Sequence, residues 1–154
     1  MVRRERGFSY VVVMFLVAVL SIVSARALEN SLMAERRDKE AQLLRVGTAY
    51  SDAIRDYYQG TPGSSGVYPL TVEELLLDGR GSKIRRPLRK LYRDPITGST
   101  DWGHVYKDGR LIGVYSLSNL KPLKRDGFIK GQVMFNGAST YQNWRFIYDA
   151  NDEP

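Results

Sequence analysis

The pattern of hydrophobic and polar positions divides the chain into three regimes. From Phe8 to Ala25 no residue is charged, and no glycine or proline interrupts the chain from Phe8 to Val46. A helix over Phe8–Ala25 spans roughly 27 Å, close to a bilayer's hydrocarbon core. From Glu29 to Glu40 the chain is polar nearly all round, with Glu35, Arg36, Arg37, Asp38, Lys39 and Glu40 offering charge pairs three and four apart. From Leu43 a one-sided stripe begins: Leu43, Val46, Gly47, Tyr50, Ala53, Ile54 and Tyr57. That spacing predicts a helix face buried against a domain. The breakers of Gln59-Gly60-Thr61-Pro62-Gly63-Ser64-Ser65-Gly66 end it near Tyr58. One helix of about 50 residues, on the order of 75 Å, results.

Beyond the breakers the pattern becomes that of a small mixed domain. Tyr68 to Leu76 reads as a short helix capped by Thr71, with Glu74 completing a capping box. Pro87 and Pro95 keep Ile84 to Gly98 irregular. Strands are predicted over Trp102–Tyr106 and Leu111–Leu117, joined by the Asp108-Gly109 turn. A loop through Lys121–Gly127 leads to a last strand, about Tyr141–Tyr148, with alternating aromatic residues. The fold class is α+β: one long amino-terminal helix, half transmembrane and half amphipathic, packed on a small antiparallel sheet. The expected organisation is residues 1–7 as a leader, 8–28 as a transmembrane helix, 29–59 as its continuation, and 60–154 as the head.

Charge adds a direction. The leader holds Arg3, Arg4 and Arg6 against Glu5, and such residues stay on the cytoplasmic side. The remainder would then lie across the membrane, in the periplasm of a bacterium. Ala25-Arg26-Ala27 has the small-x-small look of a signal peptidase site, but the apolar run exceeds a signal core and no breaker follows. A retained helix is the expectation. The net charge of +6 includes a second basic cluster, Lys83, Arg85, Arg86, Arg89, Lys90 and Arg93. It reads as a solvated face, with an anionic partner surface as the sharper reading. No nucleic-acid-binding motif accompanies it.

Candidate chemistry is sparse. Without cysteine there is no disulfide, thiolate metal site or thiol nucleophile. His104 stands alone in a predicted strand. Ser64, Ser65 and Ser116 lie in no nucleophile elbow. Asp94, Asp101, Asp149, Asp152 and Glu153 lack calcium-loop spacing and read as surface carboxylates. Gly60, Gly63 and Gly66 precede no phosphate-binding lysine. The expectation is no catalysis, no cofactor and no metal.

Arg6-Gly7-Phe8-Ser9-Tyr10 and the apolar run resemble the class III signal of type IV pilins and type II secretion pseudopilins. Glu40–Tyr58, Tyr68-Pro69 with Glu73-Glu74-Leu75-Leu76, and Leu91-Tyr92-Arg93-Asp94-Pro95 resemble the general-secretion pseudopilin branch. The resemblance implies a structural subunit of a type II secretion pseudopilus. A prepilin peptidase would cut between Gly7 and Phe8 and methylate the new amine of Phe8. Other pseudopilins and the inner-membrane assembly platform would be its partners, with the head periplasmic and the filament helping to export folded proteins. Two departures stand out. Val12 occupies the position of the family's usual assembly glutamate, and Tyr148-Asp149-Ala150-Asn151-Asp152 does not match the family's calcium loop. The alternatives are a membrane-anchored periplasmic binding or enzymatic domain, and a minor type IV or DNA-uptake pilin using the basic cluster; nucleic acid is not an expected partner of the leading reading.

Overall fold

A computed structural model describes residues 6–63, 65–129 and 131–151. Leader residues 1–5, Ser64, Asp152 and Glu153 lie outside the described residues. Helix α1 runs Arg6–Gln59, and the chain divides into two compact units, Met1–Arg37 and Asp38–Pro154.

In the first unit, α1 passes without a break through the apolar run and Ala25-Arg26-Ala27. The absence of glycine and proline permits this, since each would cost helix stability there. Some of its polar groups pair locally. Ser21 Oγ donates to the Val17 carbonyl at 2.8 Å, and Arg26 meets Glu29 at 3.4 Å.

In the second unit, α1 residues 38–59 form one wall of the core. All seven residues of the apolar stripe are buried. They face a three-stranded antiparallel sheet of β1 (Gly103–Lys107), β2 (Arg110–Tyr115) and β3 (Arg145–Ile147), in that order. The β1–β2 hairpin turns at Asp108 and Gly109, whose φ angles of 51° and 74° give the left-handed pair that a two-residue hairpin needs. The register slips between Val105 and Tyr106, a bulge in an edge strand. Gly103 lies under the Tyr115 ring, where a Cβ would come within 2.2 Å.

The centre is aromatic. Phe135 stacks on Trp144 at 5.6 Å, Phe146 meets Phe135 edge-on at 5.1 Å, and Tyr141 meets Trp144 edge-on at 5.3 Å. Each such side chain removed from water contributes about 1.5–3 kcal/mol. Gly47 lies close against β3: a Cβ there would lie 2.3 Å from the Phe146 ring.

Two expectations change. The last strand is only Arg145–Ile147, because Tyr141–Asn143 forms a 3₁₀ turn. Asn143 Oδ1 accepts from the Thr140 amide and hydroxyl at 3.2 and 2.9 Å, a local cap that competes with strand pairing. The alternation nonetheless survives, with Trp144, Phe146 and Tyr148 all buried. The short helix near Tyr68 is a 3₁₀ turn over Glu73–Leu75, and its Thr71–Glu74 capping box is absent. Glu74 instead accepts from the Leu70 amide at 3.0 Å and from the Tyr57 hydroxyl at 2.7 Å, while the Thr71 hydroxyl bonds Glu73. Glu74 thus joins a local backbone amide to a phenol presented by α1.

Candidate functional site

The largest exposed apolar surface belongs to the first half of α1. Phe8, Val11, Phe15, Val19 and Ile22 are all exposed, and the apolar window is unburied throughout. A helix apolar on every side cannot rest in water; it spans a membrane or packs among other helices. Length and composition suit a single membrane crossing. Phe8 is 75% exposed and Val12 39%, both within this surface, and the backbone of Gly7 is helical. Leader residues Met1 to Glu5 are outside the described set.

Within the second unit, Glu40, Ser51 and Arg80 add to the Tyr57–Glu74 bond in holding α1 to the head. Glu40, 4% exposed, accepts from the amides of Leu123 and Lys124 and from the Tyr141 hydroxyl at 2.8 Å. Ser51 Oγ donates to the Ile147 carbonyl at 3.1 Å, joining the helix to β3. At the helix end, Arg80 donates to the Tyr57 carbonyl at 2.7 Å and to Thr61 Oγ1 at 3.0 Å, with its guanidinium 3.4 Å from the Tyr57 ring centre. The last turn of α1 has no basic residue of its own. Arg80 supplies both the missing donor and the charge that complements the helix dipole. Asp78 fixes Arg80 with two hydrogen bonds, at 2.8 and 2.9 Å. The Arg80 side chain holds the Asp78 carboxyl below its ordinary range.

Glu40 escapes a reading of the polar segment as wholly solvated. It does lie three and seven positions before Leu43 and Gly47, on the buried face, and that spacing is its only signal in the sequence. Arg80 has no such signal, because its partners are up to 23 residues away.

The residues singled out for chemistry are dispersed. His104 is exposed on β1. It borders a cleft of about 200 Å³ whose walls include Tyr50, Glu73, Asp101 and Trp102. Hydrogen bonds from its own backbone amide and the Thr71 hydroxyl hold the Glu73 carboxyl below the usual range. Asp94 is not a surface carboxylate: it is fully buried and accepts from Ser116 Oγ at 2.6 Å, Thr97 Oγ1 at 3.0 Å and the Ile96 amide at 2.9 Å. The Asp-Pro peptide thus begins a turn whose polar groups are satisfied inside the protein, and Ser116 belongs to that network. Asp149 is paired with Lys107, and Asp101 accepts from Ser99 Oγ at 2.9 Å. Ser65 is exposed in the glycine-rich loop. Among the described residues, no three His, Asp or Glu side chains converge as metal ligands would. The cations Lys83, Arg85, Arg86, Arg89, Lys90 and Arg93 are all exposed.

In comparisons with known proteins, no family model matches the chain, and no curated protein or solved structure matches it. The architecture itself is type IV pilin-like in the general sense: a long amino-terminal helix, apolar in its first part, whose second part packs on a small antiparallel sheet.

Proposed function

We propose that this chain is a structural subunit of a pilin-like filament, of the type II secretion pseudopilin kind. One observation carries the reading: a single unbroken helix bears an entirely exposed apolar first part, and its second part is built into the core of a folded head. A plain membrane anchor needs no such helical continuation into its head, whereas a subunit that leaves the bilayer to stack its apolar helix among others does. The unbroken course through Ala25-Arg26-Ala27 supports a retained helix over a cleaved secretory signal.

In this reading a prepilin peptidase cuts between Gly7 and Phe8 and methylates the amine of Phe8. The amino terminus starts on the cytoplasmic side, the head is periplasmic, and the subunit is held in the inner membrane until an assembly platform extracts it. The head acts by packing rather than by catalysis, and needs no cofactor. Val12 in place of an acidic residue spares the bilayer a buried carboxylate and leaves the subunit without a pairing partner for a neighbour's amine. That suits a subunit in a special position of the filament better than one repeated along it.

The test is the intact mass and amino-terminal sequence of the protein purified from its native membrane. A chain beginning with N-methylated Phe8 is expected, and Gly7→Val should leave the leader attached. A chain beginning at Leu28 would mean signal peptidase cleavage, and an uncut Met1 a plain anchored domain. Either would overturn the proposal.

A further inference from the structure

The segment Lys83–Arg93 carries six cations and no carboxylate in eleven residues, and the filament reading assigns it nothing. It is not a loose loop. Its backbone pairs with Asp78 through two hydrogen bonds at Arg85, of 2.8 and 2.9 Å. The Leu88 amide donates to the Leu75 carbonyl at 2.8 Å and the Leu88 side chain is buried in the core. The Tyr92 amide donates to Tyr50 Oη at 2.9 Å, and Trp102 Nε1 donates to the Tyr92 carbonyl at 2.8 Å. Fixed points at 85, 88 and 92 therefore present the intervening cations outward.

Those cations are uncompensated. Among the described residues none of the six forms an ion pair with a carboxylate. Two acids beside the segment are engaged elsewhere: Asp78 on Arg80, and Asp56, which shares a small concavity with Arg85, Arg86 and Pro87, on Arg55 at 3.9 Å. Arg85 lies over Gly60 at the end of α1, where the helix dipole favours it. Arg93 donates to the Gly98 carbonyl at 3.1 Å. Lys83, Arg86, Arg89 and Lys90 have no polar partner among the described residues. Holding so many like charges together on a fixed scaffold opposes folding, and an anionic partner relieves that repulsion.

Aliphatic knobs sit among the charges. Ile84 is 71% exposed, Leu91 is exposed, and Leu77, opposite Arg86 by the register of the 78–85 bridge, is exposed too. We propose that this surface docks a protein segment in which acidic and aliphatic side chains alternate. Nucleic acid fits less well: the segment's only aromatic ring, Tyr92, is engaged edge-on with Tyr50 and under Lys90, which leaves no stacking platform. A lipid surface also fits less well, because the aliphatic groups are separate knobs divided by the inward-turned Leu88 rather than one insertable stripe. The inference is independent of how the amino terminus is processed.

The test uses the full-length protein in detergent micelles and a fluorescent peptide of about twelve alternating glutamates and leucines, read by anisotropy. Saturable binding is expected, weakening as salt rises because exposed cations carry it. The triple variant Arg86→Ser/Arg89→Ser/Lys90→Ser should weaken binding at least about tenfold, and Ile84→Ser by about threefold. All four side chains are exposed, so circular dichroism should match the parent; if the triple variant unfolds, Lys90→Ser alone with the salt series decides. No peptide binding, affinity indifferent to these substitutions, or tighter binding of a single-stranded oligonucleotide of equal charge would each overturn the proposal.

Discussion

Gly47 offers the sharpest test of how α1 meets the sheet. A Cβ at this position would lie 2.3–2.4 Å from three carbons of the Phe146 ring, more than an ångström inside ordinary contact. The ring is hemmed in by its neighbours. Phe146 is buried, and Phe135 stands edge-on against it at 5.1 Å with Trp144 stacked behind at 5.6 Å. Gly47→Ala must therefore push α1 and β3 apart, an overpacking that costs about 1–3 kcal/mol. Against this, alanine in place of glycine within a helix contributes about 1 kcal/mol. The net expectation is a loss of up to about 2 kcal/mol, or up to roughly 8 °C in melting temperature for a unit of this size. Gly47→Val should lose more. The assay is urea unfolding of the full-length protein in micelles, followed by tryptophan fluorescence. Both tryptophans, Trp102 and Trp144, lie in the second unit, so the signal reports the head and not the apolar helix. Phe146→Ala alone should cost about 3–5 kcal/mol, and the double variant less than the sum of the two, because the cavity admits the new methyl. A Gly47→Ala protein clearly more stable than the parent, or strict additivity with Phe146→Ala, would refute the close approach.

Three further outcomes follow from the other attachments. Glu40→Ala leaves the Tyr141 hydroxyl and two amides without their acceptor and should cost about 2–4 kcal/mol in the same urea assay, with Glu40→Gln costing less because it keeps one acceptor. Arg80→Met strands the buried Asp78 and uncaps α1; a loss of about 2–4 kcal/mol is expected, partly recovered by adding Asp78→Asn. Because the folded-state pKa of Asp78 is depressed, its contribution is present above its ordinary value of 3.8 and is lost as pH falls through the folded value, so Arg80→Met should flatten acid unfolding below that point. At the alkaline end, burial and then the hydrogen bond to Glu74 push the Tyr57 phenol up to about 12 from 10.0. Its contribution is therefore whole below pH 10.0 and lost as pH rises toward 12, and Tyr57→Phe should remove that part of the alkaline unfolding curve.

Much of this protein follows from local pattern. The glycine- and proline-free run and its lack of charge dictate a long helix with an apolar first part, and the spacing from Leu43 to Tyr57 dictates which face is buried. The Asp108-Gly109 pair dictates the hairpin, since few other residues adopt two successive left-handed conformations. These features depend on neighbours within a few positions, which a sequence displays directly. The attachments that hold α1 in the head were decided only by the tertiary structure. Glu40 finds its donors more than 80 residues away, Arg80 caps a helix it does not belong to, Asp94 turns inward to meet Ser116, and Glu74 adds the Tyr57 hydroxyl to its local bond. A polar side chain declares no partner in the sequence. Its bond is chosen by whichever donor or acceptor the packed core leaves unsatisfied beside it, because burying that group unpaired costs more than any local alternative returns.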